Sequence, residues 1–198
     1  MICHRTKSIF IHICRCGGTS VELFLDCDPV ALNQNNERHA LPSRYEDHWN
    51  KYFTFVIVRN PWDRLCSAFR YTVERGLQDT EIKRRLHAES GGSINKFVKR
   101  VLSQPRLLQE SVDRLFWPQT RWLVDAEGRP IPFDRVIRFE SLQEEVFEVA
   151  HKLGIFCGTL PAVNGTRGSD YHDVYDREAA AIVEEIYRDD IRMLGYRF

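Results

Sequence analysis

Apolar residues gather along the chain in runs of two spacings. Ser8 to Ile13 (SIFIHI) and Tyr52 to Val58 (YFTFVIV) are short, rich in β-branched and aromatic residues, and predict buried strands. Arg135 to Phe139 (RVIRF) predicts a third, and Arg121 to Val124 a shorter one. Helical spacing appears in Thr19 to Asp26, anchored by Val21, Leu23, Phe24 and Leu25, and in Trp62 to Arg75, opened by Pro61. Gln143 to Leu153 and Asp176 to Leu194 read as amphipathic helices, the latter with Asp176 as N-cap. Shorter helical pieces are expected from Ser43 to His48, from about Ile94, and from Arg106 to Leu115. Asp28 to Asn36, Asp125 to Pro132 and Leu160 to Asp173 read as loops. Strands alternating with helices predict an α/β fold: a parallel sheet flanked by helices, in one domain covering residues 1–198.

Composition narrows the partners. Lys+Arg and Asp+Glu each number 28, so the net charge is zero and a nucleic-acid partner is not indicated. No apolar run is long enough to span a membrane, and Lys7 and His12 interrupt the opening where a signal sequence would be apolar. A cytoplasmic protein without a membrane partner is the expectation. The six cysteines, Cys3, Cys14, Cys16, Cys27, Cys66 and Cys157, form no CxxC pair, which favours reduced thiols. His12, Cys14 and Cys16 alternate as residues on a strand do, and no metal is expected.

Candidate chemistry begins at IFIHICRCGGTS, Ile9 to Ser20. Gly17 and Gly18 let backbone amides turn toward a ligand, and Thr19 and Ser20 add hydroxyl donors. The helix that follows presents further amides. A phosphate cradle is one reading, and a plain strand-to-helix turn with a cap is the other. A Walker A loop needs lysine before its Ser or Thr, and Gly18 stands there. The second stretch is VRNPWDRLCSAFRY, Val58 to Tyr71. Arg59 leaves a strand at its carboxyl end, where open α/β sheets bind ligands, and Ser67 follows on the helix. A guanidinium and a hydroxyl suit a second phosphate. Alternatively, Arg59 is a surface charge and Ser67 an ordinary helix residue.

In this order the two stretches resemble the sulfotransferases that use 3′-phosphoadenosine 5′-phosphosulfate (PAPS). The likeness is greatest to the carbohydrate branch with short bacterial members and a P-loop-NTPase-like fold. RHALPSRY, FWPQTRWL, VIRFESL and the closing YHDVYDREAAAIVEEIYRDDIRMLGYRF extend the resemblance over nearly the whole chain. It implies that Arg15, Cys16, Gly17, Gly18, Thr19 and Ser20 cradle the 5′-phosphosulfate, and that Arg59 and Ser67 take the 3′-phosphate. It implies that the loop from Thr166 to Tyr171 closes over the nucleotide, with Arg167 and Tyr171 in contact. His39 occupies the position of the family's histidine in a K-H-A segment and is the candidate base, with Glu37 as second choice. Trp117 and Gln119 would border the acceptor, stacking on a sugar and bonding its hydroxyls. Core packing is the other reading for Trp117 and Trp122.

Two departures matter. The family's lysine is Arg15, and its proline is Cys14. Sulfuryl transfer is an in-line displacement dominated by positioning and charge stabilisation. Arginine keeps the charge on that leaving group but loses the compact shape and the transferable proton. Many relatives also have histidine where this chain has Leu115. The implied function is sulfuryl transfer to a hydroxyl, of a saccharide by the branch resembled. The alternatives are a nucleotide-binding protein of this fold without turnover, and a small-molecule kinase. Lys83, Arg84 and Arg85 read as a solvated helix face.

Overall fold

Four strands form one mixed sheet in the order β1-β2-β3-β4. They are β1 (Ile2–Cys3), β2 (Ser8–Ile11), β3 (Phe53–Val58) and β4 (Arg135–Arg138). β2, β3 and β4 are parallel, with Ile9 opposite Thr54 and Val56 opposite Val136. The expectation of a parallel sheet is met there and corrected at β1, which runs antiparallel to β2. The link between them is a tight turn containing Lys7 at φ 49, too short for the crossover that parallel strands require. The computed structural model describes residues 1–24, 38–74, 81–104, 114–155 and 170–198.

By internal contacts the chain forms two compact units, Met1–Arg59 with Gln119–Gly165, and Asn60–Pro118 with Thr166–Phe198. The sheet belongs to the first. All four residues of β2, and Thr54 to Val58 of β3, are buried, as expected of central parallel strands. Asp134 registers β4 against β3 by accepting bonds from the Thr54 backbone N–H at 2.7 Å and its hydroxyl at 3.0 Å. Helices Gly18–Phe24 and Leu142–Lys152 complete this unit's main elements, the second burying Val146, Val149 and Ala150. The stretch expected as a strand from Arg121 is instead a 3-10 turn, Gln119–Trp122. Trp122 and Leu123 are both buried, so the turn puts neighbouring residues inward where a strand would alternate them. Val124 keeps a single bridge to Pro130.

The second unit is helical. Helix Pro61–Phe69 starts with Asn60 as N-cap, whose side chain accepts from the Trp62 N–H, and continues into a π-helical turn, Arg70–Glu74. Trp62, Leu65, Phe69, Phe97, Val101 and Tyr187 form its apolar core. The long helix expected from Asp176 is capped there as predicted, but it breaks at Tyr187 into Arg177–Ile186 and Arg188–Leu194. The buried Tyr187 hydroxyl donates to the Phe116 carbonyl. Among the described residues no helix is long and apolar enough to cross a membrane, and no group of acidic, His or Cys side chains could hold a metal. Cys3, Cys14, Cys16 and Cys66 are in the thiol form. Cys27, Cys157, Glu37 and most of the helical piece expected from Arg106 lie outside the described residues.

Candidate functional site

Past β2 the chain turns sharply before helix Gly18–Phe24. Two residues there are left-handed, Arg15 at φ 66 and Gly17 at φ 79. Glycine adopts that conformation without cost, whereas an L-residue gives up roughly 1–2 kcal/mol. Contacts from distant segments hold the arginine in it. Arg59 Nη1 donates to the Arg15 carbonyl at 3.0 Å, and the Arg59 guanidinium lies 3.9 Å over the Phe139 ring. Gln119, fully buried, accepts from the Arg59 N–H at 2.9 Å and donates to the Arg59 carbonyl at 2.8 Å. It thus supplies the bonds a neighbouring strand would make. The same Gln119 Oε1 lies 3.5 Å from the Cys16 thiol, which donates to it.

Protein atoms account for both glycines. A Cβ on Gly17 would lie 2.8 Å from Leu142 Cδ2, and one on Gly18 would lie 2.1 Å from the His12 ring. The His12 ring therefore packs directly on the turn. Its Nδ1–H donates to Glu22 Oε1 at 2.6 Å. Glu22 is completely buried, and Arg38 meets it with both prongs, Nε to Oε1 at 3.1 Å and Nη2 to Oε2 at 2.8 Å. Arg38 Nη2 also donates to Thr19 Oγ1 at 3.1 Å. Burial pushes the Glu22 carboxyl up, but His12 and Arg38 outweigh it and hold it below the ordinary value. Burial holds His12 below its ordinary value against the pull of Glu22, so the imidazole is neutral.

His39 adjoins this group. Its Nδ1–H donates to the His12 carbonyl at 2.9 Å, and the two rings meet edge to face at 4.5 Å. A carbonyl only accepts, so the hydrogen of the neutral ring is on Nδ1 and the lone pair is on Nε2. Burial, followed by His12 and Arg38, lowers the His39 pKa to about 3. It is in the base form throughout the neutral range.

The first unit thus brings together Arg15, Cys16, Gly17, Gly18, Thr19, Arg59, His39 and Gln119. Ser20 is there too, buried at the start of the helix. Gln119, expected to face an acceptor, has both amide atoms engaged with the backbone of Arg59. In the second unit, Ser67 is buried within its helix. The Tyr171 hydroxyl accepts from Asn60 Nδ2 at 3.1 Å. Trp117 is half-buried, with the Arg114 guanidinium 5.7 Å over its ring. Arg167 lies outside the described residues.

The sequence reading passed over His12, Glu22, Arg38 and Phe139. One available signal was the spacing of Glu22, three residues past Thr19 and so on the same helix face. Another was His12, an ionisable residue inside the otherwise apolar run Ile9 to Ile13.

A family model described as "Sulfotransferase family" matches residues 1–197. The chain belongs to the sulfotransferase family. Searches of curated proteins and of solved structures gave no match. The family match covers both strand-to-helix motifs, and the α/β sheet with its flanking helices is consistent with the family's fold.

Proposed function

We propose that this family member transfers a sulfuryl group from PAPS to a hydroxyl, and that the acceptor is a carbohydrate. The observation that carries the reading is the Arg59 bond to the Arg15 carbonyl, which joins the end of β3 to the glycine turn. The turn that Arg59 grips carries Arg15 and Thr19, residue types that suit a multiply charged anion. The nearby carboxylate, Glu22, is neutralised by Arg38. When bound, PAPS would supply an activated sulfuryl group on a good leaving group. Arg15 and Thr19 would hold the 5′ end, with Cys16, Gly17, Gly18 and Ser20 completing the turn. Arg59 would take the 3′-phosphate through its guanidinium. Ser67, Tyr171, Arg167 and Trp117 join the assignment from the sequence resemblance alone, as does the extent of the domain, 1–198.

His39 would accept the acceptor's proton on Nε2. A base with a pKa of about 3 takes little proton from an ordinary alcohol. It becomes effective once the bond to sulfur is well formed and the oxygen has become strongly acidic. The weak base therefore suits late proton removal. Arg15 would stabilise charge on the departing phosphate without giving it a proton.

The left-handed arginine at the lysine position favours a second reading, in which the nucleotide binds without turnover. The test is calorimetric binding of 3′-phosphoadenosine 5′-phosphate beside ADP and ATP, followed by a saccharide screen for sulfation. Preference for the 3′-phosphorylated nucleotide by about tenfold or more, with sulfated product, supports the proposal. The same preference without product from wild type or Arg15→Lys supports the second reading. Preference for ATP overturns both.

A further inference from the structure

A buried ion pair between Glu22 and Arg38 costs desolvation that an apolar pair of similar shape would avoid. Its geometry gives the pair work to do. Arg38 Nε donates to Glu22 Oε1 at 3.1 Å, while Nη2, in ion-pair contact with Glu22 Oε2 at 2.8 Å, donates to Thr19 Oγ1 at 3.1 Å. A guanidinium has no lone pair to offer, so Thr19 can only be the acceptor in that bond. The hydroxyl's one hydrogen is thereby turned away from Arg38. Glu22 keeps Arg38 from drifting, and His12 keeps Glu22 in place from the other side at 2.6 Å. Without Arg38 the hydroxyl could rotate and spend its hydrogen on a backbone carbonyl, as threonines near helix starts do.

We infer that Arg38 is a positioning residue for Thr19: clamped by Glu22, it sets the threonine hydroxyl as a hydrogen-bond donor toward the 5′-phosphate group of the nucleotide. This rests on the functional reading above. The role is narrow. It concerns one hydroxyl and one phosphate, and it leaves the 3′-phosphate contacts untouched.

The experiment is calorimetry on the full chain with adenosine 3′,5′-bisphosphate and adenosine 3′-monophosphate as probes and ADP as the control on wild type. The proteins are wild type, Arg38→Met, Thr19→Val and the double variant. Arg38→Met is expected to weaken the bisphosphate by about tenfold, the scale of one hydrogen bond to a charged group. The monophosphate should change by less than about twofold. In the Thr19→Val background the Arg38→Met loss should vanish. If Arg38→Met does not melt cooperatively, Arg38→Met with Glu22→Gln removes the stranded charge and should show the same selectivity. Equal loss for both probes would reveal a general structural role and overturn the inference. A loss that persists in the Thr19→Val background would mean that Arg38 meets the phosphate itself, which also overturns it. A wild type that prefers ADP to the bisphosphate would instead remove the functional reading.

Discussion

The turn of residues 14–18 and the helix start at Asn60 both follow a buried strand, but they are secured differently. The helix start is secured locally. Asn60 caps the Trp62 N–H, and Pro61 occupies a first-turn position where no N–H is needed. The turn is secured from afar. Its left-handed arginine is held by Arg59, its cysteine thiol by Gln119, and the threonine that follows it by Arg38. A helix can therefore start at Asn60 on the strength of three consecutive residues. The turn's shape rests on contacts from three remote segments.

Four measurements break or sharpen that contrast. The largest effect is expected from Glu22→Ala, which strands the Arg38 charge beside the turn. Chemical denaturation should show a loss of about 3–5 kcal/mol. Next comes Gln119→Leu, which keeps the apolar volume but removes the bonds to the Arg59 N–H and carbonyl, at about 2–3 kcal/mol by the same method. Asn60→Ala should cost about 1 kcal/mol, the value of one helix cap. If Asn60→Ala proves costlier than Gln119→Leu, the division into local and remote support fails.

The smallest change is expected from mild acid. His12 and His39 are both held below the ordinary imidazole value of 6.5 in the fold. Below that value the unfolded chain takes up protons that the folded chain refuses, so stability falls as pH falls. Between about pH 7.5 and about pH 6.5 the loss from His39 should be about 0.3 kcal/mol, and His12 adds to it in the same direction. It should continue to grow until about pH 3, where His39 is protonated within the fold. Denaturation curves of wild type and His39→Gln at several pH values should separate on this slope. Equal slopes would show that His39 takes up its proton in the folded protein as it does in the unfolded chain.

The same contrast explains what could be read from residues alone. β2 and β3 announce themselves because burial on both faces selects continuous apolar runs; β4, buried at Ile137 alone, shows itself by its β-branched Val136 and Ile137. The helix opening at Pro61 and the Asp176 cap are legible because each acts within three residues. The short edge strand β1 has too few residues to show a period. The segment after Pro118 misled because Trp122, Leu123 and Val124 look like strand residues. Their place is decided by Gln119 turning inward to Arg59 and by the Trp122 indole N–H, which donates to the His39 carbonyl. In the candidate site, the loop residues and His39 were visible through their motifs. Glu22 and Arg38 were not, because a buried ion pair leaves no periodic trace and its partners are 16 residues apart.

The Arg59 amide lies one residue beyond the last rung of β3, where backbone hydrogens ordinarily trade places with water quickly. Here the glutamine carbonyl covers it. Its isotope exchange is then timed by the rotation of one side chain instead of by the opening of the sheet. Deuterium uptake at that single position would serve as a clock for the turn, running independently of global unfolding.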